Sequence, residues 1–315
     1  MNKYNILKKV TQDMELPYLR ISLTDICNAK CTFCHNEGQR KKNNDNISLQ
    51  KYSEVAKLFA PFFCSPPYVV LTGGEPLLAD NLYEVIKVFK CYNYKVGLTT
   101  NGIALDESRQ KKLLEAGLDT INISLNSLNE DKYRSFYNVD KLSVVKDNLK
   151  TLYKYFKYPN KKINWIVTKE VDFDEEILNL CNLSKKLQFI ISPLFDIKLI
   201  EKEVLLLLDK LKTKLEILFG NPNIRKITEH KRHKEYLEFC NGAIVWEFDN
   251  LRTEENSFSL KNNNYCKDCP EDIKKTCYEG AYALRLSAKG TFRPCLKRED
   301  NNFKINEVIQ QTLWN

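Results

Sequence analysis

The sequence predicts an α/β protein: a partial, TIM-like (β/α)6 barrel with a small cysteine-rich extension toward its C-terminal end. Three observations carry this. From Tyr18 to about Ile191, short β-like runs alternate with helix-like stretches, the mark of successive βα units. Two of the strands set polar residues on one face, where a closed small barrel would pack apolar side chains. Four cysteines, Cys266, Cys269, Cys277 and Cys295, fall within about thirty residues near the end of the chain.

The expected strands are Leu19–Leu23, Tyr68–Leu71, Lys95–Thr99, Thr120–Leu125, Ile163–Val167 and Gln188–Ile191. Helices are expected between them at Leu49–Phe59, Leu82–Lys90, Glu107–Ala116, Leu142–Tyr155 and Glu175–Lys185. Asp106 suits the start of the third helix as a cap, and Gly117 suits the left-handed residue just past its end. A further helix, about Glu201–Leu218, carries Val204, Leu205, Leu208, Leu211 and Leu215 at helical spacing and closes the core. In Thr120–Leu125 the apolar set is Ile121, Ile123 and Leu125, leaving Asn122, Ser124 and then Asn126 to face the interior. The first strand divides likewise, with Arg20, Ser22 and Thr24 on the polar side. Polar residues facing inward suit an open barrel that holds a ligand.

Residues 1–220 form the core on this reading, and 221–315 a linker and a cysteine-rich metal region. The stretch Asn221–Tyr236 is rich in Arg, Lys and His without a clear apolar period, and is expected to be a linker or an exposed helix. Its charge suits a solvated basic face better than a nucleic-acid surface. At 315 residues, 43% hydrophobic and 29% charged, the chain can bury a full core. The opening residues are polar and lysine-rich, and no segment has the length and apolarity of a membrane span. Eleven cysteines in such a chain point to metal or redox use in a reducing, cytoplasmic setting. The net charge of +8 would suit an anionic substrate without demonstrating one.

The run Cys27-Asn-Ala-Lys-Cys31-Thr-Phe-Cys34 is the most informative feature. Three thiolates on a tight loop suit a 4Fe–4S cube, one cysteine to each of three irons, with the fourth iron open to a small chelating molecule. Zinc prefers four closed protein ligands, and His35, directly after Cys34, is poorly placed to supply the fourth. About forty residues on, Leu71-Thr-Gly73-Gly74-Glu75-Pro76 ends an apolar run. Glycines there let backbone approach a ligand, and Glu75 offers a carboxylate to an ammonium.

Triplet and turn together resemble the radical S-adenosylmethionine (SAM) superfamily. The resemblance implies a 4Fe–4S cluster on Cys27, Cys31 and Cys34, and SAM bound among Phe33, Gly73, Gly74, Glu75, Ser124 and Asn126. It implies reductive cleavage of SAM and hydrogen abstraction from a substrate. A flavodoxin or ferredoxin-type donor would supply the electron. The tail cysteines Cys266, Cys269, Cys277 and Cys295 are expected to hold a second 4Fe–4S cluster with an electron-transfer role, and Gly290-x₄-Cys295 is similar to an element of auxiliary-cluster domains. Cys240 is a spare ligand, while Cys64, Cys91 and Cys181 read as small core residues. A zinc-stabilised, non-catalytic binding module would explain the tail but not the Gly-Gly-Glu turn.

Within the superfamily, Tyr18–Cys27, Leu71–Leu78, Leu98–Gly102, Ala116–Leu125 and Leu284–Leu296 resemble the molybdenum-cofactor GTP cyclase family. That likeness maps Arg20, Thr99, Lys169 and Arg285 onto substrate-contacting positions. Basic positions of that family read Tyr68, Val70, Gln188 and Ala283 here, and its Gly-Gly terminus is absent from a chain ending Leu313-Trp-Asn315. A nucleoside triphosphate needs several cationic partners when buried. The expectation is therefore a different substrate, a peptide, nucleoside or other small metabolite, with GTP cyclisation as the alternative.

Overall fold

The computed structural model describes residues 18–34, 47–62, 66–196, 199, 201–229, 232–249, 269–276, 283–295, 298 and 302–307. Six parallel strands lie side by side in chain order: β1 (Leu19–Ser22), β2 (Tyr68–Thr72), β3 (Lys95–Thr100), β4 (Thr120–Ser124), β5 (Lys161–Val167) and β6 (Ile190–Phe195). Between them run α1 (Leu49–Phe59), α2 (Leu82–Cys91), α3 (Glu107–Glu115), α4 (Glu130–Tyr137), α5 (Leu142–Leu152) and α6 (Phe173–Leu187), with α7 (Glu201–Phe219) after β6. Strand order that follows chain order means each crossover steps the same way, so the helices collect on one face.

That face is the core. Leu19, Ile21, Val69, Leu71, Val96, Leu98, Ile121, Ile123 and Ile163 are all but inaccessible to solvent, packed with Val55, Ile86, Leu113, Val145 and Ile177 of the helices. Each such side chain contributes about 1.5–3 kcal/mol of burial free energy. The caps follow the sequence: Asp106 accepts from Arg109 N at 2.9 Å, and Gly117 has φ +94°. Gln188, expected to open a strand, instead adopts φ +57° and ends α6, so β6 starts at Ile190 and continues through Pro193.

The sheet does not close on itself. Beyond β6 it continues through β9 (Ile244–Asp249), β8 (Arg232–Phe239) and β7 (Asn223–Glu229). Beyond β1 it continues through β10 (Leu284–Leu286), β11 (Thr291–Arg293) and β12 (Phe303–Lys304). The basic stretch expected as a linker or exposed helix is thus corrected to an antiparallel hairpin. Its period of two is carried by Leu237 and Phe239, which join the core, while its cations pair across the strands, Arg225 with Glu238 at 3.2 Å and Lys226 with Glu235 at 3.8 Å. A second missed element is α4, whose N-cap Asn129 accepts from Asp131 N and Lys132 N. Among the described cysteines Cys181 is buried as expected, whereas Cys91 is exposed at the end of α2. No helix of the described residues is long and apolar enough to cross a membrane.

Candidate active site

The cysteine triplet leaves the C-terminal end of β1 and is held down by α4. Lys30 N donates to Tyr137 O at 3.0 Å, Thr32 N to Phe136 O at 2.9 Å, and Asn138 Nδ2 to Lys30 O at 2.7 Å. Phe33 sets its ring edge-on to Tyr137, 5.6 Å between centroids. Tyr137 also ties α4 to the end of β4: its hydroxyl donates to Ser124 O at 2.9 Å and accepts from Asn126 N at 3.2 Å. Tyr137 belongs to no motif of the sequence. Its signal was the aromatic pair Tyr133 and Tyr137, one helical turn apart behind a capping asparagine.

Burial raises the thiol pKa of Cys27, and raises that of Cys31 to about 12, with the other two cysteines of the triplet adding to the Cys31 shift. The three thiols therefore sense one another. Among the described residues, though, no group of three or more His, Cys, Asp or Glu side chains gathers to hold a single metal ion. Three thiols on one loop, within electrostatic reach of one another, suit an iron–sulfur cluster that takes one cysteine to an iron. Loading such a cluster must strip their protons.

The Gly-Gly-Glu turn is strapped to this loop. Gly74 N donates to Thr24 O at 2.7 Å and Glu75 N to Ile26 O at 2.8 Å. A Cβ on Gly73 would lie 2.4 Å from Thr24 O, and one on Gly74 would lie 2.2 Å from Ile26 O. Within the protein, then, the close approach these glycines permit is to the cysteine loop's own backbone. Glu75 is fully buried, and both its oxygens accept from the chain: Oε1 from Thr100 Oγ1 at 2.7 Å and Leu77 N at 3.0 Å, Oε2 from Asn101 N at 2.9 Å. Burial pushes its pKa up against the pull of those three donors. Here the carboxylate anchors the turn it belongs to.

The inner face of the sheet, opposite the helices, carries the polar residues the strand alternation places there. Asn126 is buried, with Oδ1 accepting from Ile166 N at 3.0 Å, and its Nδ2 has no partner among the described residues. Thr99 Oγ1 is buried and likewise without one. Arg20 on β1 lies in register with Arg285 on β10, and Arg285 with Arg293 on β11. Leu284, Leu286 and Phe292 occupy the core side of these strands, so the three arginines form a row on the inner face. Arg293 was not singled out from the sequence, because only strand register brings it beside Arg285. Lys169 stands apart, largely exposed in the loop after β5 and paired with Glu203 at 2.6 Å, which raises its pKa.

At the base of the same wall Tyr18, Val70 and Ala283 form a separate buried apolar cluster against Tyr68. The Tyr18 and Tyr68 rings lie 5.5 Å apart. The Tyr68 hydroxyl reaches across β3 to Thr120 Oγ1 at 3.3 Å, over Gly97, where a Cβ would lie 2.6 Å from that hydroxyl. In the tail, Cys269 is half-buried before the short helix α8 (Glu271–Thr276) and Cys295 is buried just after β11, while Cys266 and Cys277 lie outside the described residues. Gly290 makes the β10–β11 turn at φ +71°.

Residues 21–183 match the model of the radical SAM superfamily. A probable GTP 3′,8-cyclase from Pyrococcus abyssi is 31% identical over 91% of this chain and 87% of its own length. One from Thermococcus kodakarensis is 29% identical over 90% and 85%. Among solved structures, Streptococcus suis SuiB bound to S-adenosylmethionine shares the fold, with a TM-score of 0.65 at 15% identity, over 99% of this chain and 67% of SuiB.

Proposed function

The chain belongs to the radical SAM superfamily, and from that premise we propose that it cleaves SAM reductively and acts on a phosphate-bearing nucleotide, in the manner of the GTP 3′,8-cyclases it resembles. When bound, the 4Fe–4S cluster and SAM that this family implies supply an electron and a 5′-deoxyadenosyl radical that abstracts hydrogen. Cys27, Cys31 and Cys34 would hold the cluster. The backbone of Gly73 and Gly74, the Phe33 ring, Ser124 and the unmatched Asn126 amide would hold SAM, with Glu75 fixing the turn. Thr99 and the arginine row would orient the substrate, and Lys169 would meet it at the rim.

The observation that carries the substrate reading is the row Arg20–Arg285–Arg293. Three guanidiniums on adjacent strands are a strong recognition element for phosphate oxygens, because each offers a planar fork of donors. This outweighs the expectation from sequence that Arg20, Lys169 and Arg285 would face a triphosphate nearly alone. The whole-length likeness to the cyclases favours the same reading. The test is anaerobic reconstitution with SAM, reductant and GTP. A cyclised GTP product and GTP-stimulated 5′-deoxyadenosine are expected; 5′-deoxyadenosine at the same rate with and without GTP would count against the substrate.

A second reading, a substrate other than GTP, is favoured by the apolar cluster of Tyr18, Val70 and Ala283 against Tyr68. In place of the basic residues of the cyclase family, this wall carries aromatic and aliphatic groups that solvate no phosphate. We further propose a second 4Fe–4S cluster on Cys266, Cys269, Cys277 and Cys295 that relays electrons from a flavodoxin or ferredoxin-type donor. Metal content near eight irons per chain would agree, since two such clusters hold about eight.

A further inference from the structure

We propose that Asn101 is a positioning residue that joins the Gly-Gly-Glu turn to the cysteine triplet and sets the reduction potential of the cluster held there; this rests on the triplet being a cluster site. Three contacts of one residue make the case. Its backbone N–H donates to Glu75 Oε2 at 2.9 Å. Its side-chain Nδ2 donates to Asn28 Oδ1 at 2.8 Å and points at Cys27 Sγ, 3.8 Å away. Its Oδ1 accepts from Ile103 N at 3.0 Å, which settles the orientation of the amide and directs the N–H edge toward the sulfur. The residue is 8% exposed, so this geometry is not shared with bulk water.

A donor aimed at a ligating sulfur draws charge from the thiolate and favours the more negative, reduced cluster. Hydrogen bonds to the sulfurs are among the levers that set cluster potentials. Asn101 also sits where the two halves of the SAM site meet. The carboxylate that anchors the turn and the first cysteine of the triplet are both fixed to it, so a shift of one is felt by the other. Ala29 N also donates to Cys27 Sγ, at 3.4 Å. The Asn101 amide is the side-chain donor to that sulfur among the described contacts, and the backbone contact survives any substitution at 101.

The measurement is a potentiometric titration of the reconstituted full-length chain. It follows the paramagnetic signal that changes when SAM is added, which separates the triplet's cluster from any other. Asn101→Ala should titrate at a more negative potential than the unaltered protein. Asn101→Asp, nearly isosteric but carrying a negative charge where the donor stood, should be more negative still. Potentials equal to that of the unaltered protein in the loaded fraction of both variants overturn the proposal, whatever happens to cluster content or to the KM for SAM. Loss of the cluster from both variants also overturns it, since a tuning contact is not a scaffold requirement. An unaltered protein that binds iron without a SAM-responsive signal would instead remove the reading of the triplet, and the proposal with it.

Discussion

The two ends of the candidate site are built from different materials. The cysteine loop and the Gly-Gly-Glu turn are meshed through backbone: carbonyls of Thr24 and Ile26 meet amides of Gly74 and Glu75 at 2.7 and 2.8 Å, with no room for a Cβ on Gly73 or Gly74. The wall formed by β1, β2 and β10 is built from side chains that stand off the strands, Arg20, Tyr68, Val70 and Arg285. A backbone mesh accepts almost no substitution, because any added atom meets a carbonyl that cannot move. A side-chain wall can be rewritten residue by residue while the strands stay in register. On the proposed function, the first end would hold the cofactor and the second could change its substrate.

The sharpest way to break this comparison is Gly74→Ala. With its Cβ placed 2.2 Å from Ile26 O, the turn and the cysteine loop must separate. We expect cluster content and 5′-deoxyadenosine formation to fall at least 100-fold; a variant that reconstitutes normally would show that the mesh is softer than its distances imply. A smaller and different effect is expected from Arg293→Ala on the wall. Uncoupled SAM cleavage should stay as it is, while the KM for GTP rises by about tenfold or more, about 1.4 kcal/mol being a factor of ten. A fall in both together would place Arg293 in the scaffold instead.

The smallest effect should come from the base of the sheet, away from both ends. Lys161 opens β5 fully buried, its ammonium 5.3 Å from the Phe189 ring centre, and burial lowers its pKa from 10.5 to about 8, with Lys157 adding to the shift. Below pH 8 the buried lysine is charged in the folded and unfolded chain alike, so its penalty is complete. As pH rises toward 10.5 the folded form sheds its proton before the unfolded one, and the penalty fades. Lys161→Met should therefore raise the melting temperature at pH 7, by roughly 1–3 kcal/mol of stability, and the gain should shrink through pH 8–10. Thermal melts across that range test it, and turnover should be unaltered.

Most of the fold was legible in the sequence because it rests on local pattern. The alternation in Thr120–Leu125 located β4 and named its inner face, and the cap at Asp106 and Gly117 bracketed α3 to within a residue. Legibility failed where local signals were weak or misleading. The charges of Arg225 and Lys226 hid a hairpin that exists because β9 offers a paired edge. Eight residues were too few to announce α4, yet that helix seats the cysteine loop.

Cysteine spacing, glycine pairs and strand period were enough to propose a cluster site and the turn beside it, since each is a property of neighbours along the chain. Other features depend on residues far apart in sequence arriving at one place. The glycines turn out to be dictated by Thr24 and Ile26, nearly fifty residues earlier. Glu75 accepts from Thr100 and Asn101 at the end of the next strand. Arg293 becomes part of an arginine row because β11 folds back on β10, and β10 pairs with the first strand of the chain. Register across strands decides such neighbours, and register is a property of the assembled sheet.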